Sequence, residues 1–188
     1  MSNKNEHRDL ISLIIADHRA VESVFQELER GEASPQRRRE LVDHVVAELV
    51  RHSVAEEQYM YPAARKALQD GDTMVDHEIA EHSEAEQVMK DLEGVDPHDK
   101  KFDTLVGQLI ADVRHHVEDE EKDLLPRLQK TCTAEELREL GDNVRRAKEM
   151  APTRPHPGAP DTPPANRILD VGAGFVDRIR DAWAKTAR

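Results

Sequence analysis

Apolar residues recur at intervals of three or four along most of the chain, with charged residues between them. This interval is typical of amphipathic helices, whose buried face repeats about every 3.6 residues. No alternation of apolar and polar residues bounded by turns predicts a strand, so the chain is predicted to be all-α. Gly31 marks the predicted end of the first helix. The stripe of that helix comprises Leu10, Leu13, Ile14, Val21, Phe25 and Leu28.

Three further long helices are predicted from capping signals. Ser34–Pro35 forms an N-cap and first-turn pair that opens the second helix, and the sequence DGD at 70–72 ends it. The third helix is predicted to begin at the capping pattern Thr73–Asp76 and to end at Gly94. Asp96–Pro97 is predicted to open the fourth helix.

A shorter fifth helix is predicted between the capping box of Thr133 and Glu136 and a position near Met150. Short loops between long helices favour antiparallel neighbours. The predicted fold is therefore an antiparallel up-down-up-down four-helix bundle with a short fifth helix, contained within residues 1–150.

A proline-rich segment follows the predicted bundle. Six of the thirteen residues at 152–164 are proline, which predicts a semi-rigid linker over 151–165. Residues 166–188 then form an amphipathic tail that is predicted to be helical. We expect the tail to dock on its own bundle or on a partner subunit, which would make a homo-oligomer. Its apolar positions are Ile168, Leu169, Phe175, Val176, Ile179 and Trp183.

The charge and cysteine content narrow the classes of partner. Lys and Arg number 27 against 39 Asp and Glu, a net charge of −12, so phosphate backbones and anionic lipids are repelled. We therefore expect no nucleic-acid partner and no membrane association. Cys132 is the single cysteine and excludes an internal disulfide or a thiolate metal cluster. The N-terminal residues lack an apolar signal region, and we expect a cytoplasmic protein.

One polar pattern occurs twice along the chain. The sequences HSVAEEQYMYP and HVEDEEKDLLP place His, Glu and Pro at the same offsets and lie 64 residues apart. The same shift of 64 relates His18 to His82. The sequence therefore indicates two helical hairpins, each with a lone His on its first helix and a His and Glu on its second. The repeated polar residues are His18, His52, Glu56, His82, His116 and Glu120.

These six side chains all fall on predicted apolar faces, where unpaired polar groups are costly. A bound cation would offset this cost by providing a partner for the six polar side chains. Imidazole and carboxylate ligands without thiolate suit iron, manganese or zinc. The symmetry of the repeat predicts two metals, each with two His and with two shared carboxylates.

The prolines of the repeat, Pro62 and Pro126, lie too far along the helices to be ligands. Each removes a backbone hydrogen bond to the carbonyl four residues earlier. We interpret them as matched bends or stops after the metal-binding turns.

Four motifs in order resemble the hemerythrin-like, or HHE, cation-binding domain: DHRAVE at His18, HSVAEEQYMYP, EHSEAE at His82 and HVEDEEKDLLP. The resemblance covers about residues 7 to 130. It implies an up-down-up-down bundle around two non-haem iron ions, with carboxylate and oxo or hydroxo bridges. By that resemblance Glu56 and Glu120 are the bridges, and the terminal ligands are His18, His52, His82 and His116.

The sequence departs from the oxygen-carrying hemerythrins, which have five histidines and an HxxxH pair on the third helix. Here Glu78 and Glu86 flank His82 at that spacing, which argues against reversible oxygen storage. Whether Glu22, Glu78 or Glu86 joins the ligands stays open. Tyr59, seven residues after His52, is either a core tyrosine or a catalytic group that donates to a bound peroxide.

The function expected from this resemblance is that of a di-iron protein that reacts with or binds peroxide, O2 or NO in oxidative or nitrosative stress. Catalase-like removal of peroxide is the enzymatic form of this hypothesis. The alternative is a sensor or binding module for O2, NO or iron that signals through the tail. Ferritin-like iron storage is disfavoured, because no His has a Glu three residues before it.

Overall fold

Helices make up most of the computed structural model, which describes residues 9–157, and no strand occurs within that range. The all-α prediction is confirmed. The chain forms four long helical arms and a fifth helix, and the second arm and the fourth arm each join three helical segments without interruption. In order, the elements are α1 (Leu10–Glu29), α2 (Pro35–Ala55), π1 (Glu56–Met60), α3 (Tyr61–Ala67), α4 (Gly71–Leu92), α5 (Lys100–Asp119), π2 (Glu120–Leu124), α6 (Leu125–Thr131) and α7 (Ala134–Met150).

The arms pack as two hairpins, α1 against α2 and α4 against α5, and α7 covers α1 and α2. Two apolar clusters fill the interior. The first contains Phe25 and Phe102, and the second contains Leu10 and Leu128. Along every arm the repeated His and Glu residues fall between these clusters. The fold therefore encloses a polar layer between two apolar layers, and these apolar layers shield the polar side chains from water.

The two π-helical turns correct the interpretation of the prolines. In π1 the N–H of Tyr61 donates to the carbonyl of Glu56, five residues earlier, and in π2 the N–H of Leu125 donates to that of Glu120. Pro62 then lies in the first turn of α3, as Pro126 does in α6, where a missing N–H costs little. Neither proline is a stop, because each arm continues for a further turn or more.

The ends of the helices agree with the capping signals in part. The hydroxyl of Ser34 accepts from the N–H of Arg37, and Thr133 forms its capping box with Glu136, as predicted. The other two predicted starts are wrong. Helix α4 begins at Gly71, before Thr73–Asp76, and has no side-chain cap; helix α5 begins after Asp99, whose carboxylate caps it, and not at Asp96–Pro97.

Residues 151–157 begin the predicted proline-rich linker and pack against the bundle. Ala151 and Thr153 are buried, and the backbone N–H of His156 donates to Glu86 at 2.9 Å. The rest of the linker and the tail at 166–188 lie outside the described residues. Within the described part, none of the helices has the length and apolar character needed to cross a bilayer.

Candidate metal centre

The fold brings all six repeated His and Glu residues into one buried cluster. Each of the four arms contributes, because the residues fall at the same level of the bundle between the two apolar layers. Glu56 and Glu120 have no exposed surface, and each histidine is at most 7% exposed. The cluster comprises His18, His52, Glu56, His82, His116 and Glu120.

Each glutamate faces two histidines with different oxygens. Oε1 of Glu56 lies 3.0 Å from Nε2 of His52, and its Oε2 lies 3.4 Å from Nε2 of His82. In the same way, Oε2 of Glu120 lies 3.5 Å from Nε2 of His18, and its Oε1 lies 3.9 Å from Nε2 of His116. Both carboxylates therefore lie between two pairs of imidazoles, which is the arrangement of ligands that bridge two cations.

The two pairs define two candidate metal positions. We call the position beside His18 and His52 the first position, and the position beside His82 and His116 the second position. At the first position the two imidazoles, Glu56 and Glu120 each offer one ligand atom, all within 4.8 Å of one another. Ligands about 2.1 Å from a metal are separated by distances of this order.

The chemistry of the donor atoms fits a metal. Within the described residues, no hydrogen-bonding partner of acceptable geometry is found for Nε2 of His18, Nε2 of His52, either oxygen of Glu56 or Oε2 of Glu120. Buried polar atoms are almost always satisfied, and two buried carboxylates among imidazoles need positive charge between them. A cation held by the Nε2 atoms and the carboxylate oxygens would satisfy all of these atoms.

A second set of carboxylates holds the outer nitrogen of every imidazole. Nδ1 of His18 lies 2.8 Å from Glu121, and Nδ1 of His82 lies 2.9 Å from Glu57. Carboxylate partners of this kind fix the ring so that Nε2 points inward, as metal-binding histidines require.

The remaining two imidazoles follow the same rule. Nδ1 of His52 lies 3.4 Å from Asp17, and Nδ1 of His116 lies 3.0 Å from Glu81. Like the Glu57 and Glu121 pair, Asp17 and Glu81 are separated by 64 residues. Sequence reasoning missed these four acids, although each adjoins a predicted ligand at repeated offsets, and that regularity was the available signal.

In the absence of metal, protons take the place of the cation. Burial disfavours the imidazolium of His52, but Glu56 and Asp17 outweigh burial and raise its pKa to about 10. Burial likewise opposes the charged form of His116, yet Glu120, Glu78 and Glu81 hold its pKa well above the ordinary value. The metal-free centre thus binds protons strongly, and a metal must displace them.

The tyrosine whose hydroxyl lies at the cluster is Tyr61, whereas the position of Tyr59 matches the core-tyrosine alternative. The hydroxyl of Tyr61 is buried, lies 3.0 Å from Nε2 of His82 and donates to Glu120 at 3.1 Å. Tyr59 is half-buried and packs against the second apolar cluster. The π turn explains the difference, because it adds one residue to the helical turn. The residue five positions after Glu56, which is Tyr61, therefore shares a face with Glu56.

Of the three acids whose role the sequence left open, one lies at the cluster. Glu78 is buried, and its Oε2 lies 3.0 Å from Nδ1 of His116. Glu22 instead pairs with Arg114 at 2.9 Å, and Glu86 accepts from the backbone of residue 156. Burial raises the pKa of Glu78, which is consistent with a carboxylate in a cluster that contains other carboxylates.

A small cavity adjoins the first position. Its volume is about 30 Å³, which is room for roughly one or two water-sized molecules. Its walls combine the imidazoles of His18, His52 and His116 with apolar side chains such as Val21 and Met89. The space beside the candidate centre therefore suits a ligand of a few atoms.

The chain is similar in sequence to proteins from two organisms. The chain is 28% identical over 173 residues to an uncharacterized hemerythrin-like protein of Schizosaccharomyces pombe, covering 92% of this chain and 85% of that protein. It is also 28% identical over 142 residues to a protein of a Nostoc species named DNA nickase. That match covers 76% of this chain but only 40% of the nickase.

The fold also matches a solved structure. The crystal structure of a hemerythrin HHE cation-binding domain-containing protein from Mycobacterium kansasii superposes with a TM-score of 0.65 at 21% identity. The likeness covers 76% of this chain and 86% of that one. The family profile described as the hemerythrin HHE cation-binding domain matches residues 9–128, which include all six clustered residues. The chain therefore belongs to the hemerythrin HHE cation-binding family.

Proposed function

We propose that this chain is a non-haem di-iron protein that reacts with a small ligand, with peroxide as the leading candidate and O2 and NO as the alternatives. His18 and His52 would hold the first iron, His82 and His116 the second, and Glu56 and Glu120 would bridge them. The observation that carries the proposal is the placement of each bridging carboxylate, with one oxygen towards each pair of imidazoles.

Iron is preferred to a structural zinc because of the ligand space, and to manganese because the resemblance to the hemerythrin-like domain implies two non-haem irons. Four imidazoles and two carboxylates without a thiolate suit iron, and a structural zinc site would have no need for a cavity beside it. When bound, two adjacent irons supply a Lewis acid and a redox centre that exchanges two electrons with a two-atom ligand.

The chain's own residues then have separate roles. The carboxylates at Nδ1 hold the imidazoles in place, and the two apolar layers keep bulk water away from the centre. Tyr61 keeps its proton, because burial and the neighbouring carboxylates, Glu120 foremost, hold its pKa well above the ordinary value. Its hydroxyl can therefore hold the carboxylate of Glu120 in place by donating a hydrogen bond to it.

The leading function is removal of peroxide in oxidative or nitrosative stress, in the cytoplasm. The cavity of about 30 Å³ supports a ligand of this size. The single cysteine is consistent with a reducing compartment. We do not extend DNA nicking from the Nostoc relative to this chain, because a net charge of −12 opposes binding to a phosphate backbone.

Oxygen evolution tests this proposal. The full chain is loaded with iron and given hydrogen peroxide under anaerobic conditions, and evolved oxygen is recorded with the absorption spectrum. Sustained evolution of one O2 for every two peroxides supports the enzyme. A spectrum that changes reversibly with O2 or NO, without turnover of peroxide, rejects the enzyme and favours the second candidate function, a sensor or binding module.

A further inference from the structure

The two candidate metal positions are related by the repeat but differ in the charges around them. Asp17 and Glu81 are equivalent acids, 64 residues apart. Each lies against the outer nitrogen of one ligand, Asp17 at His52 and Glu81 at His116. The basic groups that pair with these two acids, however, are not equivalent. Because each acid contacts a candidate metal ligand, the difference affects the two metal positions.

At the first position, the acid is neutralised by a cation from the fifth helix. Nζ of Lys148 lies 2.6 Å from Oδ2 of Asp17, and both side chains are less than one-fifth exposed. Lys148 belongs to α7, which lies beyond the residues 9–128 that match the family profile. The helix added to the family domain therefore places a positive charge behind one metal ligand.

A second cation lies behind the other ligand of the first position. Arg19 pairs with both oxygens of Glu121, at 2.8 and 2.6 Å, and Glu121 is the acid that holds His18. Both carboxylates behind the first position are thus paired with permanent cations.

Glu81, the acid behind the second position that is equivalent to Asp17, has different partners. Among the described residues, the basic groups within 4 Å of Glu81 are imidazoles, the ligand His116 and the exposed His77 and His115, and no lysine or arginine is among them. The second position also has an additional acid, Glu78, whose equivalent in the first hairpin is the apolar Ile14. Asp17 is therefore neutralised by a lysine whereas Glu81 is not, and the second position has one more buried acid.

We propose that the two metal positions are electrostatically inequivalent, that the second position fills first and holds its metal more tightly, and that Lys148 sets much of the difference. Lys148 is a positioning residue. It weakens Asp17 as a partner of His52, and its charge opposes a second cation nearby. This inference rests on the proposed two-metal centre but not on the identity of the ligand that the centre uses.

Cobalt titration tests the inference without any assay of activity. Metal-free full chain is titrated with Co²⁺, and the absorption spectrum gives two binding steps. His82→Ala should remove the tighter step and His52→Ala the weaker one. Lys148→Met should tighten the weaker step by about tenfold, whereas Lys148→Arg, which keeps the charge, should restore the wild-type value. Glu78→Ile, which copies the first hairpin, should weaken the tighter step.

The outcomes separate this inference from the proposed function. Two Co²⁺ bound per chain, with steps that Lys148→Met and Glu78→Ile both leave unchanged, would overturn the inequivalence and leave the two-metal centre intact. Loss of the tighter step in His52→Ala would also overturn it. Failure of the wild-type chain to bind two metals would overturn the centre itself and the inference with it.

Discussion

Nε2 of His82 lies 3.2 Å from Nε2 of His116, although the two residues are 34 positions apart. The outer nitrogen of each ring lies beside a carboxylate, at 2.9 and 3.0 Å. When each Nδ1 donates to its carboxylate and the rings are neutral, the two facing nitrogens have lone pairs that repel one another, so a proton or a cation is needed between them. The proton or cation between the two Nε2 atoms therefore links the two arms of the second hairpin.

Substitution of one histidine of this pair should lower the iron content of the chain. We expect His116→Ala to lose about one of two irons per chain, because the second position would keep a single imidazole, and loss of a ligand weakens binding by far more than tenfold. Iron content after desalting, measured by mass spectrometry, gives the answer.

The neighbouring histidine supplies the control. His115 precedes His116 but its side chain is 66% exposed, so His115→Ala should retain both irons. Equal iron content in the two variants would remove His116 from the ligands.

The tyrosine hydroxyl should affect reactivity and not iron content. Tyr61→Phe removes the hydrogen bond to Glu120 and should slow consumption of peroxide by about tenfold, since a hydrogen bond to a metal ligand contributes about 10- to 100-fold to activity. Tyr59→Phe is the matched control and should react at the wild-type rate. A slow Tyr59→Phe variant beside a normal Tyr61→Phe variant would restore Tyr59 as the catalytic tyrosine.

Metal uptake should release protons. The pKa of His52 rises from an ordinary 6.5 to about 10 in the metal-free fold, so the stability gained from its charged form is complete below 6.5 and is lost as the pH rises through about 10. Because a metal competes with that proton, iron affinity should rise about tenfold per pH unit for each proton released.

Calorimetric titration in buffers of different ionisation enthalpy counts the protons released. Iron affinity that stays constant between pH 6 and pH 8, with no proton released, would contradict this coupling.

The sequence predicted the larger features of this centre because they depend on spacing alone. The helical interval and the shift of 64 located all six clustered residues. Tyr61 was missed because a uniform α-helical interval was assumed, whereas π1 changes the face on which later residues lie. Lys148 was missed because its partner, Asp17, is 131 residues away, and such a contact depends on how α7 packs.

Metal removal should destabilise the fold. A ligand that binds only the folded state at about 1,000 times its Kd adds roughly 4 kcal/mol, which corresponds to a rise of about 10 °C in the melting temperature of a chain of this size. Calorimetry of the iron-loaded and chelated protein should show a shift of this order. In His116→Ala the shift should be smaller, whereas an equal shift in both proteins would place the stabilising metal elsewhere.

The central claim, that Glu56 and Glu120 hold two irons as one pair, is tested most directly by Mössbauer spectroscopy of the chain loaded with ⁵⁷Fe and oxidised. The account predicts two irons per chain and a diamagnetic ground state in an applied field, because bridged ferric ions couple antiferromagnetically. One iron per chain, or two that show the magnetic splitting of isolated ferric ions, would contradict it.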